Sequence, residues 1–418
     1  MEVLSVVIFA VVIIAIMTER VHRTTAALCG AVLLIITGVM TGKEAISYID
    51  FNTIGVLIGM MIFVAVVKKS GLFEYISIKA AKAVKGDPWK IMIAFVLITA
   101  LLSGLLDNVT TVLLVGPMTI AIARMLQVDP VPYMMMEILA SNIGGTATMI
   151  GDPPNIMIGS AAGLSFMEFL ENTGVACLLV VVAQLIMMKV MYKKKVESGE
   201  INTSQVMSLD ESKSVTDSKL MKTGVIVLII VVFGFVFHDK LGLESSVIAL
   251  AAGAFMLLVG RQNVDEIIGD VEWTTLLFFM ALFVVVGGLQ QTGVIKSLSK
   301  ALIGLTDGHY ILTMLVLLWA SALLSSVLDN IPFVATLIPL VLAMQKQGMD
   351  VEAYWWAISL GACLGGNGTM IGASANVVLS DIANKHGYPI TFKSYLRVGF
   401  PFMLVSVAIS MVYLLLLY

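Results

Sequence analysis

The amino-acid sequence predicts an all-α polytopic membrane protein of two inverted repeats, each with about five spans, a re-entrant hairpin and a broken helix. Three observations predict it. Hydrophobic residues make up 59% of the 418-residue chain and charged residues 13%, about half the roughly 25% of a soluble domain. The second half of the chain echoes the first at a nearly fixed offset. Most lysines and arginines fall on one side of the spans that the apolar runs define.

Apolar runs at 2–17, 25–41 and 53–69 approach the ~20 residues that cross a bilayer core. The first has no basic leader and no small-residue cleavage site, so it reads as a retained span. A basic amphipathic stretch follows at 71–86. Two apolar arms, 89–106 and 109–125, meet at Asp107-Asn108. The next span, 133–165, is interrupted by Gly144-Gly145 and by Gly151-Asp152-Pro153-Pro154-Asn155, because paired glycines and prolines break a helix. A last span covers 173–192. Lys193-Lys194-Lys195 and a polar mixture then fill 193–222, the composition of a mobile cytoplasmic connector. The expected organisation is an N-terminal repeat, 1–192, a linker, 193–222, and a C-terminal inverted repeat, 223–418.

The duplication is explicit. Asp107-Asn108 returns as Asp329-Asn330, 222 positions on, with Ser103 as Ser325, Gly71 as Gly293 and Glu44 as Glu266. Thr148-Met149-Ile150-Gly151 returns as Thr369-Met370-Ile371-Gly372, and Asn155 as Asn376, 221 positions on. A constant offset over more than a hundred residues marks an internal repeat.

Orientation follows from charge. With five spans per half and each Asp-Asn hairpin returning to its own side, 20 of the 25 basic residues share one face. Lys43, Lys240, Lys296, Lys300 and Lys346 lie opposite. The positive-inside rule makes the crowded face cytoplasmic. It puts the linker inside a cell (inner) membrane and both termini outside. An odd number of spans inverts the second half, a recurrent transporter signature.

Polar groups at bilayer depth carry the functional reading. An ionised Asp there costs about 2.5–3.5 kcal/mol even on the gentlest scale, so Asp107 and Asp329 must face a wet cavity, find partners or hold a proton. Either can also cap the helix that it starts. The broken span and its mate, Gly361 to Asn376, offer unwound carbonyls of the kind that coordinate ions near a transporter midplane. Asp152-Pro153-Pro154 has become Ala373-Ser374-Ala375, which a single coupling-ion site on the first-half side would explain, as would drift. Glu137 is a further buried-relay candidate, and Cys363 a thiol beside the second break.

Other chemistry is excluded. The chain has no phosphate loop, no zinc-binding His-Glu-x-x-His and no Gly-x-Ser-x-Gly elbow, so nothing points to an enzyme or to ATP used by this chain itself. Its three cysteines form no disulfide framework and no metal-ligand spacing. No cofactor and no nucleic-acid partner are expected.

Together these motifs resemble the ion transporter superfamily, and within it the arsenical pump membrane protein and P-protein (anion permease) group. Ser141 to Asn155 carries the resemblance, supported by Asp107-Asn108-Val109-Thr110-Thr111 and Asp329-Asn330-Ile331-Pro332. It covers nearly the whole chain except the linker. It implies about ten spans, elevator-type alternating access, a homodimer, and a site between the hairpin tips and the broken spans.

The candidate solute- or ion-binding residues are Asp107, Asn108, Thr110, Asn142, Gly144, Thr146, Thr148, Asp152 and Asn155 in the first half. In the second they are Asp329, Asn330, Gly366, Asn367, Thr369 and Asn376. A sodium site is expected near Asp107, Asn108 and Gly145. In the sodium–dicarboxylate branch the tips read Ser-Asn-Thr. Here aspartate replaces that serine, and two carboxylates repel a dianion unless protonated or paired. The expected function is secondary active transport, of arsenite-type or ion efflux coupled to a proton or sodium gradient. Sodium/proton antiport, sodium-coupled dicarboxylate symport and the channel subunit of an ATPase-driven arsenite pump are the alternatives. The last would dock a soluble ATPase on the basic face.

Overall fold

The computed structural model describes residues 1–18, 20–197 and 202–418, and these are helical with no strand. The first half comprises α1 (Glu2–Met17), α2 (Arg23–Ile36), α3 (Gly42–Ser47), α4 (Phe51–Lys68), α5 (Leu72–Ala83), α6 (Pro88–Leu105), α7 (Asn108–Leu126), α8 (Val131–Thr146), α9 (Pro153–Ala162), α10 (Phe166–Phe169) and α11 (Val175–Glu197). A short α12 (Thr203–Met207) precedes α13 (Ser218–Leu241), α14 (Ser245–Gly260), α15 (Val264–Gly269), α16 (Trp273–Gln291), α17 (Val294–Leu305), α18 (Tyr310–Ser325), α19 (Asn330–Gln345), α20 (Glu352–Gly365), α21 (Ser374–Lys385) and α22 (Phe392–Leu417). Among the described residues, seven helices are long and apolar enough to cross a membrane, or eight if the bent α17–α18 pair counts as one.

Local chemistry sets the boundaries. Asp87 caps α6 through the Lys90 N–H, with Pro88 at the first helical position, where its missing N–H costs nothing. Asp50 caps α4 through Asn52 N–H and Thr53 N–H. Pro153 and Pro154 open α9 after extended backbone that α8 cannot continue. Pro117 inside α7 and Pro339 inside α19 stand 222 positions apart.

Packing divides the helices into two groups. In the first, α2 packs on α1 and α16, and α4 on α14. The α4–α14 contact is backbone to backbone: a Cβ on Gly59 would lie 2.3 Å from the Ala249 carbonyl carbon. Small residues allow such an approach where lipid supplies no hydrophobic drive between helices. In the second group, α6 and α7 pack on α8, α18 and α19 on α20, and α21 on α7. The groups meet along α4–α9 and α16–α19, with α5 and α17 bridging them.

Three details differ from the sequence reading. Gly144 and Gly145 remain helical inside α8. The helix breaks only afterwards, because these glycines serve packing: a Cβ on Gly144 would stand 2.0 Å from the Ala100 carbonyl oxygen. The expected span 173–192 begins earlier, as α10 runs through a π-turn, Leu170–Gly174, into α11. The linker expected at 193–222 is shorter and packed. Residues 193–197 extend α11 and 218–222 open α13, while 198–201 lie outside the described residues. The remainder docks on α5, where Lys82 Nζ donates to Glu211 Oε2 at 2.5 Å and to Leu209 O at 2.9 Å. Val206 is fully buried, and Thr216 N–H donates to Ser70 O at 3.0 Å. A few apolar and charged anchors hold a segment whose average composition suggests a free chain.

Candidate functional site

The hairpin tips are helix starts inside the second group. Asp107 caps α7: Thr110 N–H donates to Oδ1 at 2.8 Å, and the Thr110 hydroxyl donates to Oδ2. Asp329 caps α19 less fully, accepting from Ile331 N–H at 3.3 Å. Pro332 occupies the position matching Thr110 and has no N–H to offer. The free Asp329 oxygen turns outward. Oδ2 accepts from Arg23 Nη1 at 2.8 Å and from Ser374 Oγ at 3.1 Å.

Behind the tips, each break is tied to its hairpin by the same bonds. Ser103 Oγ donates to Ser141 O, and Ser325 Oγ to Ala362 O, both at 2.6 Å. Thr148 Oγ1 donates to Gly104 O at 2.6 Å, and Thr369 Oγ1 to Ser326 O at 2.5 Å. Asn155 Nδ2 fastens the carbonyls of Gly145, Thr146 and Thr148 at 3.3, 3.1 and 2.9 Å. Asn376 Nδ2 does likewise for Gly366 and Thr369, at 2.7 and 2.9 Å. Unwound carbonyls buried away from water need such donors.

Asn142 joins the two breaks. Its Nδ2 donates to Asn367 Oδ1 at 2.9 Å and Asn376 Oδ1 at 2.8 Å, and its Oδ1 accepts from Asn108 Nδ2 at 3.3 Å. Asn330 Nδ2 reaches across to Asp152 Oδ2 at 3.1 Å.

Two adjoining cavities open on this assembly. The wider, about 360 Å³, is lined by the α1–α2 turn with His22 and Arg23, by Asp329 and by the start of α21. The inner one, about 20 Å³, is lined by polar residues Asp107, Asn108, Asp152, Asn330, Arg23, Glu272, Thr275 and Ser374. A volume near 10–15 Å³ suffices for one water, so the inner cavity admits a water or a small bare ion.

Of the expected residues, Asp107, Asn108, Asp152 and Asn330 line the inner cavity, and Asp329 the wider one. Thr110 serves Asp107 as cap and lines a separate cavity with Lys68, Asp270 and Glu272. Asn142, Thr146, Thr148, Asn155, Gly366, Asn367, Thr369 and Asn376 are buried in the framework that holds the breaks. The Thr146 hydroxyl is spent on Asn142 O at 2.6 Å. Gly144 and Gly145 line neither cavity. Cys363 is buried, its Sγ 3.6 Å from Asn155 Oδ1. Glu137 is also buried, accepting from Thr119 Oγ1 at 2.5 Å. Among the described residues no group of three His, Cys, Asp or Glu could hold a metal ion.

Sequence reasoning missed Arg23, Glu272, Thr275 and Ser374. Glu272 and Thr275 had a signal: they match Asp50 and Thr53, 222 positions earlier, and both threonine hydroxyls donate to their acid, at 3.0 and 2.5 Å. Nothing in the sequence places Arg23 beside a residue 306 positions away.

Paired helix starts and paired breaks around a small polar cavity, within apolar helices, define a membrane transporter rather than an enzyme. A crystal structure of the Alcanivorax borkumensis YdaH transporter shares the fold, with a TM-score of 0.60 over 92% of this chain and 87% of that one, at 17% identity. The chain belongs to the citrate transporter family, whose model matches residues 13–361. An uncharacterized transporter of Mycobacterium bovis is 40% identical over all of this chain and 99% of its own length. The human P protein is 33% identical over 98% of this chain, which spans 59% of that protein. The chain is therefore a multi-pass secondary transporter of the anion permease type.

Proposed function

We propose that the chain exchanges protons for a small cation, sodium foremost, through the inner cavity. One observation carries this reading: Asp107, Asp152 and Glu272 line the inner cavity and Asp329 adjoins it, against the single guanidinium of Arg23. A surplus of acids in a desolvated space takes up protons or cations in preference to anions. Asp107 and Asp329 would take up the proton or cation in turn, with Asn108 and Asn330 beside them. A citrate-like anion would need several cations bound with it.

Residues 1–192 and 223–418 act in this proposal as inverted repeats, with the linker cytoplasmic and both termini outside. The hairpin-and-break group then moves against the α2–α4–α14–α16 group in an elevator-type cycle, within a homodimer in the cell membrane. Arsenite-type efflux is the second reading. An uncharged hydroxide is not repelled by the acids, and the Cys363 thiol stands behind the break. The docked-ATPase reading has less support, since Lys69, Lys82 and Lys90 are engaged by Glu266, Glu211 and Asp87.

Solid-supported membrane electrophysiology on proteoliposomes of the purified chain tests these readings. The panel is sodium, lithium, arsenite, antimonite, chloride, citrate and succinate, each with and without a pH gradient. Sodium- or lithium-dependent currents coupled to proton movement are expected. Currents with citrate or succinate alone, or with no member of the panel, would overturn the proposal.

A further inference from the structure

Arg23 is the first residue of α2, yet its guanidinium lies in the wall between the two cavities. Arg23 and Ser374 line both. Nη1 donates to Ser374 Oγ at 2.7 Å and to Asp329 Oδ2 at 2.8 Å, while Nη2 donates to Thr275 Oγ1 at 3.4 Å. The guanidinium carbon sits 5.2 Å from the centre of the Phe278 ring, within range of a cation–π contact. Four partners therefore fix the head of one side chain, and Asp329 supplies the charge.

The contact also crosses the seam. Arg23 belongs to the group formed by α1, α2 and α16. Asp329 and Ser374 stand at the starts of α19 and α21, in the hairpin-and-break group. The duplicated half has no counterpart, because Ser245 occupies the position 222 residues after Arg23. The matching tip satisfies Asp107 through Thr110 instead.

We infer that Arg23 is a tethered cation that closes the inner cavity, and that a solute cation enters by displacing it from Asp329. This rests on the cation reading above and deepens it by naming the residue that sets cation affinity. The empty carrier keeps Asp329 neutralised by its own arginine, and the same ion pair holds the two groups together. Binding of a cation or proton at Asp329 releases both at once. An anion ligand would instead need the guanidinium free, whereas it is committed to a carboxylate and Arg23 shares the lining of the inner cavity with Asp107, Asp152 and Glu272.

Sodium and lithium concentration jumps on proteoliposomes holding wild-type, R23Q or R23K chain test this. Loss of the competitor in R23Q should lower the half-saturating cation concentration about tenfold, the factor carried by one charge-assisted bond. The maximal current should not rise with it, and R23K should restore the wild-type value to within about twofold. Monodisperse elution in detergent establishes that the variants are folded, and should R23Q fail there, R23K against D329N supplies the comparison. An unchanged or raised half-saturation in R23Q, with wild-type cation currents intact, would overturn the role of Arg23 alone. So would a D329N chain that keeps the wild-type half-saturation. Absence of any cation current in the wild type would overturn the cation reading, and the inference with it. A citrate current abolished in R23Q would make Arg23 an anion ligand.

Discussion

At the first hairpin tip Asp107 turns back on its own helix, taking both the N–H and the hydroxyl of Thr110. At the second, Pro332 removes those donors and Asp329 looks outward to Arg23 and Ser374. The bonds behind the tips barely differ between the halves: Ser103 and Ser325, Thr148 and Thr369, and Asn155 and Asn376 keep equivalent partners. The framework that fixes broken backbone in a membrane tolerates little change, because each carbonyl needs its donor. The tip side chains face a cavity and are free to diverge. The two halves thus share the framework bonds and differ in the partners of the two acids.

The largest expected effect removes either acid. D107N and D329N should each lower cation-driven flux in proteoliposomes by about a hundredfold, the scale of a lost buried charge partner. Equal wild-type rates in both would dissolve the functional half of the comparison. Next comes the shared framework. N142L leaves the Asn367 and Asn376 carbonyls without their Asn142 donor and should cost roughly 2–4 kcal/mol, visible as a lower Tm in detergent.

Glycine contacts sharpen the comparison further. G144A drives a methyl into the Ala100 carbonyl at 2.0 Å, and G365A meets that of Ala322 at 2.6 Å. Both should lower Tm, G144A more, by roughly 1–3 kcal/mol in stability. A smaller effect is expected from P332T, which gives Asp329 the self-cap of the first tip. It should weaken the hold on Arg23 and lower the half-saturating cation concentration, by less than R23Q does.

The smallest effect concerns the linker. The Lys82 ammonium beside Glu211 holds its carboxyl below the usual carboxylate range. A lowered folded-state value means that the contact stabilises docking above the free-acid value and is lost as pH falls through the folded one. Amide protection in 202–217, corrected for the intrinsic exchange rate at each pH, should therefore fall below about pH 4 and stay flat between pH 6 and 8.

Much of this was legible in the sequence. Asp-Asn between apolar arms announced the helix starts at Asn108 and Asn330, and Pro153-Pro154 announced a break, because both are local facts about backbone. The amide braid was legible only as a list: Asn142, Asn367 and Asn376 were named, but their joining depends on two breaks meeting in space. Gly144 was misread because a glycine pair signals a bend and a close helix contact equally well. Arg23 looked like one more cytoplasmic charge, since its partner lies in the other half. The linker read as mobile because composition averages over the few anchors, Val206, Glu211 and Thr216, that hold it.

The surplus of acids over the single guanidinium also makes the site an electrical element. In the proposed cycle, any net charge left on the moving site would cross the membrane field, at about 2.3 kcal/mol per charge per 100 mV. Loading with a proton or cation changes the charge moved, so loaded and empty forms respond differently to voltage. Under that proposal the membrane potential would bias which face the empty site prefers, and hence the face from which the next ion is taken.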